Sequence, residues 1–241
     1  PGDRAMALLP GGGYAEEAVV AAGVAMHVPP VLSDEEAAAI PEVFLTAYLN
    51  IFMLAAAQPG ERVLIHGGGS GVGTAATTLC KLAGMHVIVT AGSAAKCARC
   101  LAHGADEAID YREDDFAERA RGANVILDHI GARYLSLDLD ALAVDGRIVM
   151  IGSMGGQRTA ELDVMKLLGK RATITGSTLR NRSVIDKAAI VASFIARFGS
   201  ELAAGAVRPV IHEVFPLEKV AEAHRLMAAS EHFGKIVLKV T

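Results

Sequence analysis

Five glycines fall within the seven residues 67–73, GGGSGVG, directly after the apolar run VLIH at 63–66. A strand passing through such a turn into a helix presents unpaired backbone amides and the positive end of the helix dipole, which together receive a pyrophosphate. Glycine is required there because Cβ atoms would hold the phosphates away. Gly68, Gly71 and Gly73 give G-x-x-G-x-G, a loop about one residue longer than the G-x-G-x-x-G of dinucleotide-binding units, with Gly73 set for close packing of helix on strand. A glycine-rich turn by itself also reads as a flexible connection. Its place between a first buried strand and a helix, with a second strand HVIVTA ending about 20 residues on, favours the dinucleotide reading.

The end of that second strand decides which dinucleotide. An NAD site carries Asp or Glu there to bind the ribose hydroxyls, whereas Thr90, Ala91, Gly92 and Ser93 contain no carboxylate, and Lys96 follows. A carboxylate about 4 Å from a 2′-phosphate would cost about 4 kcal/mol per unit charge pair at an effective dielectric near 20, while a hydroxyl and an ammonium attract it. NADPH is the expected cofactor. The plainer reading, in which Ser93 caps a helix and Lys96 is a solvated cation, is compatible with it, since a capped helix start also binds anions.

Other chemistry-bearing groups lead nowhere as strong. Cys97-x-x-Cys100 with His103 invites a metal, but no second pair exists, Cys80 is the one other thiol, and no metal site is expected. Asp128-His129 follows an apolar strand, where such residues more often line a cofactor cleft than exchange protons. Ser70 sits in a Gly-x-Ser-x-Val context, so a hydrolase elbow fails at its last position.

The elements that must position these residues alternate from 62 to 178: RVLIH, VGTAATTLCKLAG, HVIVTA, SAAKCARCLAHG, EAIDY, DDFAERARG, NVILDH, ARYLSLDLDALA, GRIVMIG, ATITGST. Strands that are nearly continuous apolar runs are buried on both faces, so the alternation predicts an α/β fold with a doubly wound parallel sheet, the Rossmann domain. On the amino-terminal side, RAMALLP and YAEEAVVAAGVAMHVPP read as antiparallel strands joined by a turn at Gly11-Gly12-Gly13, and FGKIVLKV reads as a last strand. Ser33 with Glu36 forms a capping box, and helical character runs from Glu42 to Ala57. Residues 183–204 and 217–230 read as amphipathic helices. The expected domains are 1–32 and 179–241 as parts of a second, β-rich domain, with 33–178 as the nucleotide domain. ATITGST would be an uncharged outer strand, a poor edge unless something pairs with it.

Of the 241 residues, 52% are hydrophobic, the net charge is -4 and the pI is near 6.1, with basic residues scattered, so neither nucleic acid nor a membrane surface is an expected partner. Three cysteines make no disulfide framework and fit a reducing, cytoplasmic setting. The opening at Pro1, which reads as strand and turn, predicts a piece of a longer protein.

The segments GDRAMALLPGGGYAE, AAAIPEVFLTAY, VLIHGGGSGVGTAA, VTAGSAAK, NVILDHIG, ALAVDGRIVMIGSMGG and GKIVL as a set resemble the zinc-independent quinone oxidoreductases of the medium-chain dehydrogenase/reductase superfamily, most closely their tumour-suppressor-inducible branch. The resemblance implies that the flanking pieces belong to a GroES-like catalytic domain, that NADPH is bound, that hydride passes to a quinone, and that the outer strand meets its twin in a homodimer. It implies cofactor-binding roles for Gly71, Val72 and Gly73 at the pyrophosphate; Ser93, Lys96 and Tyr111 at the 2′-phosphate; Ile130 near the nicotinamide ribose; Met154 and Gly155 beside the nicotinamide; and Thr46, Leu179 and Arg180 completing the pocket. Roughly the first quarter of such a protein, which carries its substrate-facing Asn and Tyr, has no counterpart here, so catalytic residues are unassigned. An enoyl or alkenal reductase of the same superfamily and a noncatalytic NADPH-binding module are the alternatives.

Overall fold

The computed structural model describes residues 2–240. By its internal contacts the chain divides into two units: one holds the residues up to Thr46, Ser70–Ala75, and those from Leu179 onward, and the other holds Ala47–Gly69 and Ala76–Thr178.

In the first unit, β1 (Ala5–Ala7) pairs antiparallel with β2 (Ala25–His27), Met6 opposite Met26. The antiparallel pair is as expected, but its connection is not a tight glycine turn. Residues 8–24 form a long excursion ending in one 3₁₀ turn, Ala22–Val24. Three paired residues per strand are too few to extend a ladder across that excursion. Ser33 opens α1 (Asp34–Ala39) with the capping box: its Oγ accepts from Glu36 N, and Glu36 accepts from Ser33 N. The three acidic residues of this first turn each take a cation from a distant segment, Asp34 from Arg4 at 2.6 Å, Glu35 from Lys239 at 2.8 Å and Glu36 from Arg208 at 3.1 Å. Next comes α2 (Pro41–Tyr48). It does not continue as an α-helix to Ala57: residues Leu49–Leu54 widen into π-helical turns.

The second unit is built on β3 (Arg62–Ile65), then α3 (Gly71–Leu82), whose residues up to Ala75 count with the first unit, β4 (His86–Ala91), α4 (Ala94–Ala102), β5 (Glu107–Asp110), α5 (Phe116–Arg119), β6 (Ala123–Asp128), α6 (Leu135–Ala141), β7 (Leu142–Met150), α7 (Val164–Lys170) and β8 (Thr173–Gly176). All five strand pairings are parallel, in the order β5-β4-β3-β6-β7-β8. This is the doubly wound arrangement the alternation predicted. Val63, Leu64, Ile65, Val87, Ile88 and Val89 are all fully buried, as strands covered on both faces must be. Each such side chain contributes about 1.5–3 kcal/mol by leaving water. Strand order reverses between β3 and β6, and the crevice outside the carboxyl ends at such a reversal is where ligands bind.

The first unit resumes with α8 (Val184–Ala203), capped by Ser183 Oγ on Asp186 N, then β9 (Ile211–Pro216), a 3₁₀ turn Leu217–Lys219, α9 (Val220–Ala228) and β10 (Lys235–Lys239). FGKIVLKV is thus a strand, and its parallel partner β9 had no clear signature, because IHEVFP mixes polar and apolar residues and ends in proline. Among the described residues no helix is long and apolar enough to cross a membrane.

Candidate cofactor site

In the first unit, Ser70 stands just before α3 and accepts from Gly73 N at 2.9 Å, while Thr74 Oγ1 donates to Ser70 O at 3.1 Å. A helix start leaves its first amides without intrahelical partners. The Gly73 amide is taken by Ser70 Oγ, and the Ser70 main chain forms a parallel bridge with Gly234 just before the helix begins. A Cβ on Gly71 would stand 2.5 Å from Cδ of Lys235 and 3.1 Å from Cγ1 of Val43, so the lysine stem crosses the loop where glycine leaves room. The Lys235 ammonium reaches Glu42 Oε2 at 3.4 Å, and Glu42 Oε1 accepts from Thr46 Oγ1 at 3.5 Å. Thr46, Gly71, Val72 and Gly73 are therefore brought into one neighbourhood, together with Glu42 and Lys235, which no sequence pattern singles out. Leu179 and Arg180 lie in the connection between β8 and α8, where the carbonyl of Arg180 accepts from the buried Lys187 Nζ at 2.7 Å.

In the second unit, Gly67 follows β3 with φ of +61°, a left-handed conformation that favours glycine. Its amide donates to Thr90 Oγ1 at 3.2 Å, and that of Gly68 to Thr90 O at 2.8 Å, so the start of the loop is pinned to the end of β4. Ser93 caps α4, accepting from Lys96 N at 3.2 Å. Tyr111 follows β5. Its Oη lies 2.6 Å from where a Cβ on Gly92 would be, so the phenol covers the strand end that carries an acid in NAD-binding units.

A groove of about 560 Å³ opens at the carboxyl ends of β5, β6 and β7. Tyr111, Ile130, Met154 and Gly155 all line it, so four of the expected residues meet there. Asp114, Asp115, Phe116, Arg133, Tyr134 and Leu137 complete its walls. Ser93 and Lys96 are not in the lining; they sit beside Gly92, which Tyr111 covers. Arg133 and Tyr134 gave no signal in the sequence beyond helix-forming character. The groove's shape depends on two turns tied to one another: Met154 N donates to His129 O and Gly155 N to Ile130 O, each at 2.9 Å.

Beneath it lies a sealed polar group. His66 after β3, Asp128 at the end of β6 and Asp138 on α6 are at most 1% exposed. His66 Nε2 meets Asp138 Oδ1 at 2.8 Å and its Nδ1 meets Thr90 Oγ1 at 3.0 Å, with Phe116 and Tyr134 packed edge-on against the ring. Asp128 accepts from Ile130 N at 2.6 Å and Gly131 N at 3.0 Å. Burial, reinforced by the charge of Asp138, pushes the Asp128 carboxyl up to about 6, and burial brings His129 down to about 4. One ligand-type atom of each of His66, Asp128 and Asp138 lies within 4.8 Å of the others. Both imidazole nitrogens, however, are taken by hydrogen bonds inside the protein, so the arrangement is a proton-sharing network. The thiols are no better as ligands or redox groups: all three cysteines are buried, and burial raises Cys97 and pushes Cys100 up to about 12.

Set beside known proteins, residues 103–238 match the family described as zinc-binding dehydrogenase. The chain is 33% identical over 234 residues to a quinone oxidoreductase of Homo sapiens, covering 94% of this chain and 69% of that protein. It is also 32% identical over 251 residues to a highly reducing polyketide synthase of Emericella nidulans, covering all of this chain and 10% of the synthase. Among solved structures, the quinone oxidoreductase from Thermus thermophilus, studied also in complex with NADPH, superposes with a TM-score of 0.88 at 33% identity, covering 99% of this chain and 77% of that one.

Proposed function

Since the chain belongs to the zinc-binding dehydrogenase family, among the oxidoreductases of the medium-chain dehydrogenase/reductase superfamily, we propose that it binds NADPH and passes hydride to a quinone. The observation that carries the choice of cofactor is the end of β4: the strand itself ends without an acidic residue, Tyr111 covers Gly92, and Lys96 lies one turn into the following helix. The residues fit the group. Gly71 and Gly92 let the Lys235 stem and the Tyr111 hydroxyl lie close against the main chain, and the groove of about 560 Å³, with aromatic and apolar walls that also carry Asp114, Asp115 and Arg133, is within the size of small-ligand sites.

In this reading the amides of Gly71 and Val72 receive the pyrophosphate, with Gly73 keeping the helix start in place. Ser93, Lys96 and the Tyr111 hydroxyl receive the 2′-phosphate. Ile130, Met154 and Gly155 hold the ribose and nicotinamide end, and Thr46, Leu179 and Arg180 complete the pocket. What bound NADPH would supply is hydride donation from its dihydronicotinamide. The chain's own part is orientation and a dry wall, because a quinone needs no protein acid: besides the hydride it takes one proton, which water can supply. No metal enters this scheme. A homodimer formed through the open edge of β8 and a cytoplasmic setting belong to the same proposal.

A second reading, an enoyl reductase, is favoured by the likeness to the polyketide synthase along the whole chain. It would use the same cofactor residues. NADPH and NADH titrations followed by fluorescence, then turnover with quinones and with enoyl thioesters, test both: preference for NADPH with quinone turnover supports the first, thioester turnover alone the second, and binding of NADPH no tighter than NADH overturns the cofactor assignment.

A further inference from the structure

Two carboxylates and an imidazole share one sealed volume at the strand-order reversal, and the hydride scheme uses none of them. His66 Nε2 lies 2.8 Å from Asp138 Oδ1 and its Nδ1 lies 3.0 Å from Thr90 Oγ1, which also accepts from Gly67 N. Asp138 Oδ2 remains buried without a hydrogen-bond partner, so the cluster has room for one more proton.

Asp128 is the member that reaches outward. Its Oδ1 and Oδ2 hold Gly131 N, and Oδ1 holds Ile130 N. The carbonyls of His129 and Ile130 in the same turn hold Met154 N and Gly155 N. Gly155 packs closely on this turn, since a Cβ there would lie 2.9 Å from Ile130 O. One carboxylate thus stands behind two of the groove's walls.

We infer that Asp128 is a positioning residue for the groove: as a carboxylate it ties the 128–131 turn, and through it the 152–155 loop, into the shape that receives the dinucleotide, and a proton taken up by the cluster loosens both. The inference rests on the groove being the dinucleotide's. The proton comes from solvent and returns to it, and no electrons move. The groups facing Asp128 are Asp138 and Tyr134 from α6 and its cap, His66 from β3 and the neighbouring His129. Of these, the Asp138 charge opposes ionisation of Asp128 and His66 favours it. Protonation is therefore expected to come on as the pH falls through about 6.

The test measures protection of the Ile130, Gly131, Met154 and Gly155 amides against hydrogen exchange, without nucleotide, from about pH 8 to about pH 5, and NADP⁺ affinity by calorimetry over the same range. Because the 2′-phosphate itself titrates here, affinity is read as the ratio of wild type to Asp128→Asn. Expected are protection that falls on acidification in wild type, protection low and flat in the variant, and an affinity ratio of about tenfold near pH 8 that closes toward one near pH 5. Asp138→Asn removes the repelling charge and should move the wild-type midpoint to lower pH. Flat wild-type protection, or a midpoint unmoved by Asp138→Asn, overturns the inference. If protection follows pH as stated while NADP⁺ binds at no pH, the positioning role stands and the choice of dinucleotide falls.

Discussion

The hydroxyl of Tyr111 occupies the space that a side chain at position 92 would enter, 2.6 Å from the Cβ that Gly92 lacks. Gly92→Asp therefore does two things at once: it displaces the phenol and puts an anion at the end of β4. NADPH affinity is expected to fall by at least about tenfold, since like charges about 4 Å apart cost several kcal/mol near a protein surface, while NADH affinity holds or improves. Parallel titrations with the two cofactors check this, and an equal loss for both would mean that the substitution only damages the strand end.

Lys96→Glu isolates the charge from the packing. The helix cap uses the backbone amide of Lys96, which the substitution keeps. NADPH is expected to weaken by about tenfold or more with NADH little changed, the difference shrinking at high salt as screening grows. Retained preference for NADPH would remove Lys96 from the site.

Acid stability should separate two neighbouring residues of opposite sign. His129 is held neutral down to about 4, below the usual 6.5 of an unfolded histidine, so unfolding takes up a proton between those values and stability falls as the pH drops through them. Asp128 is raised to about 6, above the unfolded 3.9, so the folded state binds the extra proton and stability rises as the pH drops through that window. In wild type the two slopes, each about 1.4 kcal/mol per pH unit, largely cancel. Relative to wild type, urea midpoints between about pH 6 and about pH 4.5 should rise on acidification for His129→Gln and fall for Asp128→Asn. The ionised Asp128 is in this sense a standing cost to the fold, as expected of a group held for binding.

The edge of the sheet offers a fourth prediction. Strand β8, TITG, has no partner on its outer side among the described residues, and Val164, Met165 and Leu168 of the adjoining α7 are 56%, 75% and 62% exposed. Leu168→Lys should convert the proposed dimer toward monomer in light scattering at micromolar concentration, with the circular dichroism unchanged. A wild-type chain that is monomeric at every concentration would refute the dimer.

Most of the doubly wound sheet was legible because strands buried on both faces leave an unmistakable apolar record: RVLI, HVIVTA and NVILD need no tertiary information. The β1–β2 connection and β9 were not, since short, half-exposed strands owe their existence to partners distant in sequence. The same division runs through the site. Gly71 and Ser93 were legible as a loop glycine and a helix cap because a tight loop and a cap are local. Arg133 and Tyr134 in the groove wall, and Lys235 beside Gly71, were not, because ordinary residues reach such places only through the packing of the elements that carry them. His66 read as the last residue of a strand, and nothing local says that Asp138, 72 residues on, meets it.

The burial of Cys80, Cys97 and Cys100 acquires a chemical meaning if the proposed substrate is right. Quinones are soft electrophiles that arylate thiolates, and a reductase with an ionised cysteine at its surface would be consumed by what it reduces. With each sulfur enclosed and Cys97 and Cys100 kept protonated, this chain presents no such nucleophile, and its intact mass should survive prolonged exposure to benzoquinone under conditions that modify glutathione to completion.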